Sequence, residues 1–209
     1  MYKAILASIA LFALVLMGCS AIDNTAYPVD AQKIRSVLVP PVINESNEAV
    51  ADNMLAGTIG FRLSERGYYV FPVNTVNTVL QYEGLYEAEV IQKKPAEELC
   101  KMFGADAVLF AKILNWESVY GILSTQTYVK ILYTLVDKDG RQLFSKAYDG
   151  LYEPSGDSSS LEDIINNIII SAVERASPSY FYAADKANLE MSYNFAPGYY
   201  LNKHLQPKP

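Results

Sequence analysis

Apolar blocks alternate with polar punctuation along this chain, and the spacing inside each block predicts its element. Val37-Leu38-Val39, two prolines and Val42-Ile43 run without a polar interruption and predict a buried strand. Asn44-Glu45-Ser46-Asn47-Glu48 then turns the chain. Between Ala49 and Arg66, residues Ala51, Leu55, Ile59 and Leu63 recur every fourth position, with Met54 beside them. That is one face of a helix, and Gly67 supplies its stop. Tyr68–Val73 reads as a short strand, Asn74–Tyr82 as a second helix and Gly84–Lys94 as an irregular crossing. Pro95 opens a third helix where a missing N–H is harmless, and Gly104 closes it. A long strand follows from Ala105 to about Tyr120, in which Asn115 and Glu117 alternate with Trp116 and Ser118. Gly121–Gln126 turns into a strand over Thr127–Val136. Asp137-Lys138-Asp139-Gly140 signals a tight hairpin, and Arg141–Tyr152 returns. Ser160-Leu161-Glu162-Asp163 has the form of a capping box. It opens a helix with Leu161, Ile164, Ile165, Ile168 and Ala172 on one face, expected to cover the sheet, and Pro178 ends it.

The order is β-α-β-α-α-β-β-β-α. Its first half requires parallel crossovers and its second half is an antiparallel meander, so the fold class is α/β with a mixed sheet. The domain is expected over residues 34–177, after a polar tether over 19–33 and before an aromatic-rich segment over 178–209.

The front of the chain reads as an address. Met1-Tyr2-Lys3 is a short basic start, and Ala4–Met17 is an apolar run too short to cross a bilayer as a helix. It ends in Leu16-Met17-Gly18-Cys19, which resembles the lipobox of bacterial lipoproteins; the bland alternative is a plain secretory signal with a chance cysteine. The resemblance implies cleavage of residues 1–18, a diacylglycerol on the Cys19 thiol and a third acyl chain on its freed amine. Two chains already anchor stably. Ser20 stands where an aspartate typically retains such proteins at the inner membrane. The implied location is therefore the periplasmic leaflet of the outer membrane. Cys100 is then left without an internal disulfide partner. It shares a helical face with Ala96, Leu99 and Phe103, which predicts a buried, inert thiol.

Composition narrows the chemistry. The 209 residues are 51% apolar and 19% charged with a net charge of −6, and no basic stripe argues for nucleic acid. A single histidine, His204, disfavours His-based acid–base chemistry, Ser–His or Cys–His pairs and His/Cys zinc sites. No Gly-x-Ser-x-Gly, Walker A or His-Glu-x-x-His pattern occurs. Asp137–Gly140 lacks the later ligands of a calcium loop. Neither catalysis nor a cofactor nor a metal is expected.

Four separated blocks carry a family resemblance: Val37-Leu-Val-Pro-Pro-Val-Ile-Asn-Glu-Ser46, Gly67-Tyr-Tyr-Val-Phe-Pro-Val73, Phe103-Gly-Ala-Asp-Ala-Val108 and Leu135-Val-Asp137. Over roughly residues 28–177 the chain resembles a family of bacterial lipoproteins of Gram-negative envelopes that has no agreed reaction. That family is similar in fold to the N-terminal domain of TolB. It is also similar to the lipoprotein activator of penicillin-binding proteins and to the periplasmic part of the curli secretion lipoprotein. The resemblance implies a non-catalytic binding or assembly module, membrane-tethered through Cys19. Its partners would be other envelope proteins or copies of itself. The alternative it implies is an oligomeric, pore-type lipoprotein, for which the connections Gly121–Gln126 and Asp137–Gly140 are too short to hold membrane hairpins.

Two segments are candidate partner sites. Asn44, Glu45 and Ser46 lie where a first parallel strand meets its helix, the usual crevice of open α/β sheets. Ser46 or Asn47 as the helix cap is the competing account. Tyr180, Phe181, Tyr182, Tyr193, Phe195, Tyr199 and Tyr200 put seven rings into 21 residues. Either they fold back over the domain's own sheet or they dock a partner. Their mixture with Asp185, Lys186, Asn188 and Glu190 favours an interface, so deletion of residues 179–209 is expected to leave stability nearly intact.

Overall fold

The computed structural model describes residue 29 and residues 33–120, 125–153, 160–176 and 180–201. The elements are β1 Ser36–Leu38, β2 Ile43–Asn44, α1 Ala51–Glu65, β3 Tyr69–Val70, α2 Val73–Tyr82 and α3 Ala88–Ile91. They continue as α4 Ala96–Phe103, β4 Ala107–Tyr120, β5 Thr125–Asp137, β6 Gln142–Tyr152, α5 Leu161–Ala176 and α6 Tyr180–Ser192. The strands form one mixed sheet in the order β3-β1-β4-β5-β6, with β2 also on β4. β1 runs parallel to β3 and β4, whereas β4, β5 and β6 form the expected antiparallel meander.

The first apolar run is two strands rather than one. Pro40 and Pro41 have no N–H to give the ladder, and pairing resumes at Ile43 one residue out of register with β1. The 69° φ of Gly104 at the end of α4 is the left-handed cap expected there, and Pro95 is the cap at its start.

Helices lie on both sheet faces. On one face Leu38 and Val108 meet Val76 and Leu80 of α2, Ile91 of α3, and Leu99 and Cys100 of α4. On the other, Val37, Leu109, Ala111, Ile131, Tyr133 and Leu135 lie under Leu55, Ile59 and Leu63 of α1 and Ala183, Ala184, Ala187 and Met191 of α6. Leu55, Ile59 and Leu63 have no exposed surface. Burial of each such side chain is worth about 2 kcal/mol of transfer free energy.

The helix expected to cover the sheet meets it chiefly at β5 among the described residues, and a second helix covers most of that face. The capping box of α5 forms as predicted: Ser160 Oγ donates to Asp163 Oδ2 at 2.7 Å and accepts from the Asp163 N–H at 3.1 Å. Yet Ile165, Ile168 and Ile169 remain exposed, and α6 takes the place on α1 and the sheet. The reason is steric. Small residues let two backbones approach, so the alanines of α6 turn inward while its rings Phe181 and Tyr182 turn out, at 52% and 56% exposure. The segment after Pro178 thus shares the core of residues 34–177, contrary to the boundary expected there.

Candidate functional site

Several elements converge on Val29, the first described residue of the chain. Val29 has no exposed area and makes a parallel bridge to Phe195. The tether expected to run to residue 33 has therefore ended by residue 29. Phe195, expected at an interface, is fully buried. It stands edge-on to Tyr68 at 5.2 Å and to Phe144 at 5.6 Å between centroids. This corrects the reading of the tail as separable: its central ring is core.

Backbone and side-chain bonds lock this junction from several elements. Ala196 N–H donates to Val29 O at 3.3 Å, and Tyr68 Oη donates to Ala196 O at 2.8 Å. Arg66, in the turn after α1, donates from Nε at 3.1 Å and also from Nη2 to Phe195 O. Two residues later the tail crosses that turn, with Gly198 N–H on Arg66 O at 2.6 Å and Tyr200 N–H on Gly67 O at 3.1 Å. Gly67 has φ +85°, and a Cβ there would run into Leu201. Arg35, next to β1, lies over the Tyr199 ring at 4.2 Å. The other rings divide. Tyr180 is half-buried against Trp116 at 6.1 Å, Tyr182 stacks on Tyr152, and Tyr193 and Tyr200 are exposed.

Beneath the tail, α6 is tied to α1 by polar groups that sequence reading assigned to an interface. Asp185 takes a two-pronged bond from Arg62, with Nε–Oδ1 at 2.7 Å, and Glu65 pairs with the same guanidinium at 2.8 Å. Asn188, fully buried, donates to Leu55 O at 3.0 Å and to Thr58 Oγ1 at 2.6 Å, and accepts from Tyr133 Oη at 2.7 Å. These residues are interior glue rather than docking polarity. The Ala183, Ala184, Ala187 and Met191 spacing was the sequence signal that could have shown it.

At the elbow, Asn44, Glu45 and Ser46 come together but largely satisfy one another. Asn44 Oδ1 accepts from Ser46 N–H at 3.0 Å and Ser46 Oγ at 2.6 Å, while Asn44 Nδ2 donates to Glu48 O at 2.7 Å. Helix α1 starts only at Ala51, and no side chain caps it. Ser46 and Asn47 are therefore not its cap, because the Asn44 and Ser46 side chains are spent closing the turn. Glu45 pairs with Lys112 at 2.6 Å across the surface.

The remaining candidates are structural. Cys100 is buried, and burial, followed by the nearby acids Asp106 and Asp137, pushes its thiol up to about 11. Asp137 organises the hairpin: its Oδ1 accepts from the N–H groups of Asp139 and Arg141, at 3.0 and 2.9 Å, and its Oδ2 from Arg141 Nε at 2.9 Å. Among the described residues, no three His, Cys, Asp or Glu side chains stand close enough to hold a metal ion. Cys19 lies outside the described residues.

A single mixed α/β domain, gripping its own N-terminal entry with a C-terminal tail, is the class that fold and site define. The chain belongs to the GNA1162-like family, described as "Putative lipoprotein GNA1162-like", whose match spans residues 22–192. The match runs through all of α6, past the end at 177 expected from the motif blocks. The chain is 31% identical over 176 residues to "Putative lipoprotein NMB1124/NMB1162" of Neisseria meningitidis serogroup B, covering 81% of this chain and 80% of that protein. It also resembles the crystal structure of lipoprotein GNA1162 from Neisseria meningitidis, at 32% identity and a TM-score of 0.52. That likeness covers 67% of this chain and 98% of that one.

Proposed function

We propose that this protein is acylated at Cys19 and held on the periplasmic face of the outer membrane. There its domain acts as a non-catalytic binding or assembly module for envelope proteins. The observation that carries the reading is the placement of Cys19 ten residues before Val29, the first described residue, which the core grips. Ten residues reach about 35 Å at full extension. An anchor there keeps the domain within one domain diameter of the bilayer, and the bridge of Val29 to Phe195, whose carbonyl Arg66 holds, fixes where the tether leaves it. Family membership supports the lipoprotein part of the reading. Among the described residues, the polar groups at the elbow and along α6 close a turn and join helices.

The test is a Cys19→Ser variant in cells grown with radiolabelled palmitate. Loss of label, with either release from the outer-membrane fraction or accumulation of uncleaved precursor, is expected. A Cys19→Ser protein that still fractionates with outer membranes as mature, labelled chain overturns the anchoring.

A further inference from the structure

The two edges of the sheet are finished differently. On one side lies β3, two residues long, with the turn before it crossed by the tail. On the other lies β6, eleven residues long and paired only with β5 among the described strands. Long edge strands are normally blunted, since their free N–H and C=O groups template pairing with another chain. Both ends of β6 are blunted. Lys186 Nζ donates to Leu151 O at 3.0 Å, and a register shift beside Leu135 and Val136 disturbs the start.

Among the described residues, no strand pairs with the outer edge of β6 at its middle. In an antiparallel ladder, successive residues turn their backbone groups alternately toward the partner and away. Leu151 O faces outward to Lys186, so the alternation places Ser145, Ala147 and Asp149 in the outward set. The hydroxyls of Ser145 and Thr134 meet at 3.0 Å, as the closer, non-hydrogen-bonded type of pair allows. All three residues are exposed. Beside them β6 and the end of α6 enclose a notch of about 210 Å³, lined by Tyr133, Lys146, Tyr148, Glu190, Met191 and Asn194. Tyr133 and Met191 form a buried floor, and Lys146 and Glu190 stand exposed at the mouth. The Tyr148 ring lies over Gly150, where any Cβ would collide with it.

We propose that β6 accepts an extended segment of another envelope protein as an added strand along Ser145–Asp149, with one apolar side chain seated in the notch. A row of donors and acceptors repeating every second residue is matched by another extended backbone, not by a helix or a lipid. A second copy is a poor occupant. Its own notch-facing residues on β6 would be Lys146 and Tyr148, one charged and the other already packed in its own core. The proposal deepens the binding-module reading and names the partner as a strand-forming peptide.

The probe is a phage-displayed library of random 12-residue peptides, selected on the purified full chain in detergent. Proline at an outward position removes only an edge donor and spares the β5–β6 ladder. Ala147→Pro should therefore weaken selected peptides at least tenfold while the melting temperature stays within a few degrees. Ser145→Pro provides the same test if the first variant does not fold. Scanning N-methylation through a selected peptide should abolish binding at every second residue. Three outcomes overturn the proposal: selection of no peptide that these prolines weaken, uniform tolerance of N-methylation, or self-association of the chain that Ala147→Pro abolishes. Failure of the palmitate test leaves this result untouched, so the two failures are distinguishable.

Discussion

At the scale of single residues, two polar side chains carry weight that their type does not advertise. Asn188 uses its amide fully inside the core, joining α6 to α1 through Leu55 O and Thr58 and to the sheet through Tyr133. Asn188→Leu should cost about 3 kcal/mol, since it leaves the Tyr133 hydroxyl buried without its acceptor and removes the donors that tie α6 to Leu55 O and Thr58 Oγ1. Tyr133→Phe should cost about 1 kcal/mol. In a double-mutant cycle by urea unfolding, the second change should cost much less once the first is made. Asp137 gives a pH signature. Burial pushes its carboxyl up, but the N–H groups of Arg141 and Asp139 and the Arg141 guanidinium outweigh it and hold the group below its ordinary value. A carboxyl depressed on folding adds stability above its ordinary value near 4, and that stability is lost as pH falls through the folded value. Asp137→Asn should therefore cost roughly 2 kcal/mol at pH 7. The difference should shrink as the pH falls below about 4, as denaturation at pH 7 and at successively lower pH would show.

At the scale of elements, the two C-terminal helices exchange the parts that their patterns suggest. α5 has the capping box and the isoleucine stripe, yet Ile165 and Ile169 are 59% and 56% exposed. Replacing both with serine should move the melting temperature by no more than about 3 °C. α6 has rings where a surface is expected and alanines where contact occurs, and Phe195 follows it into the core. Phe195→Ala should cost about 4 kcal/mol, on the order of 10 °C for a chain of this length. Deletion of residues 179–209 should prevent cooperative melting altogether. A truncated protein melting within a few degrees of the full chain would restore the tail to the surface. The capping box was legible because its bonds are local. The burial of α6 was not, because it depends on how closely α1 lets a second backbone approach.

At the scale of the whole molecule, the thiol of Cys100 reports on global opening. It is buried between α4 and the sheet and held near 11 by burial. An Ellman's reagent assay at pH 8 should modify it only at the rate of unfolding and completely in 6 M guanidinium. Fast labelling of the native protein would mean that the α4 face opens locally.

The chain by itself determined whatever depends on neighbours in sequence. Strand and helix periodicities, the Gly104 stop, the hairpin at Asp137–Gly140 and the four motif blocks are all of this kind, because backbone geometry over a few residues writes them directly. The expectation of a leader ending before Cys19 likewise rests on the sequence alone. Tertiary structure decided what depends on distance in space, above all which of two amphipathic helices packs on α1 and covers the sheet. It also decided that Phe195 closes over Val29 from the far end of the chain. Such pairings rest on complementary shape and on buried donors meeting acceptors more than a hundred residues away, and no local pattern encodes that match.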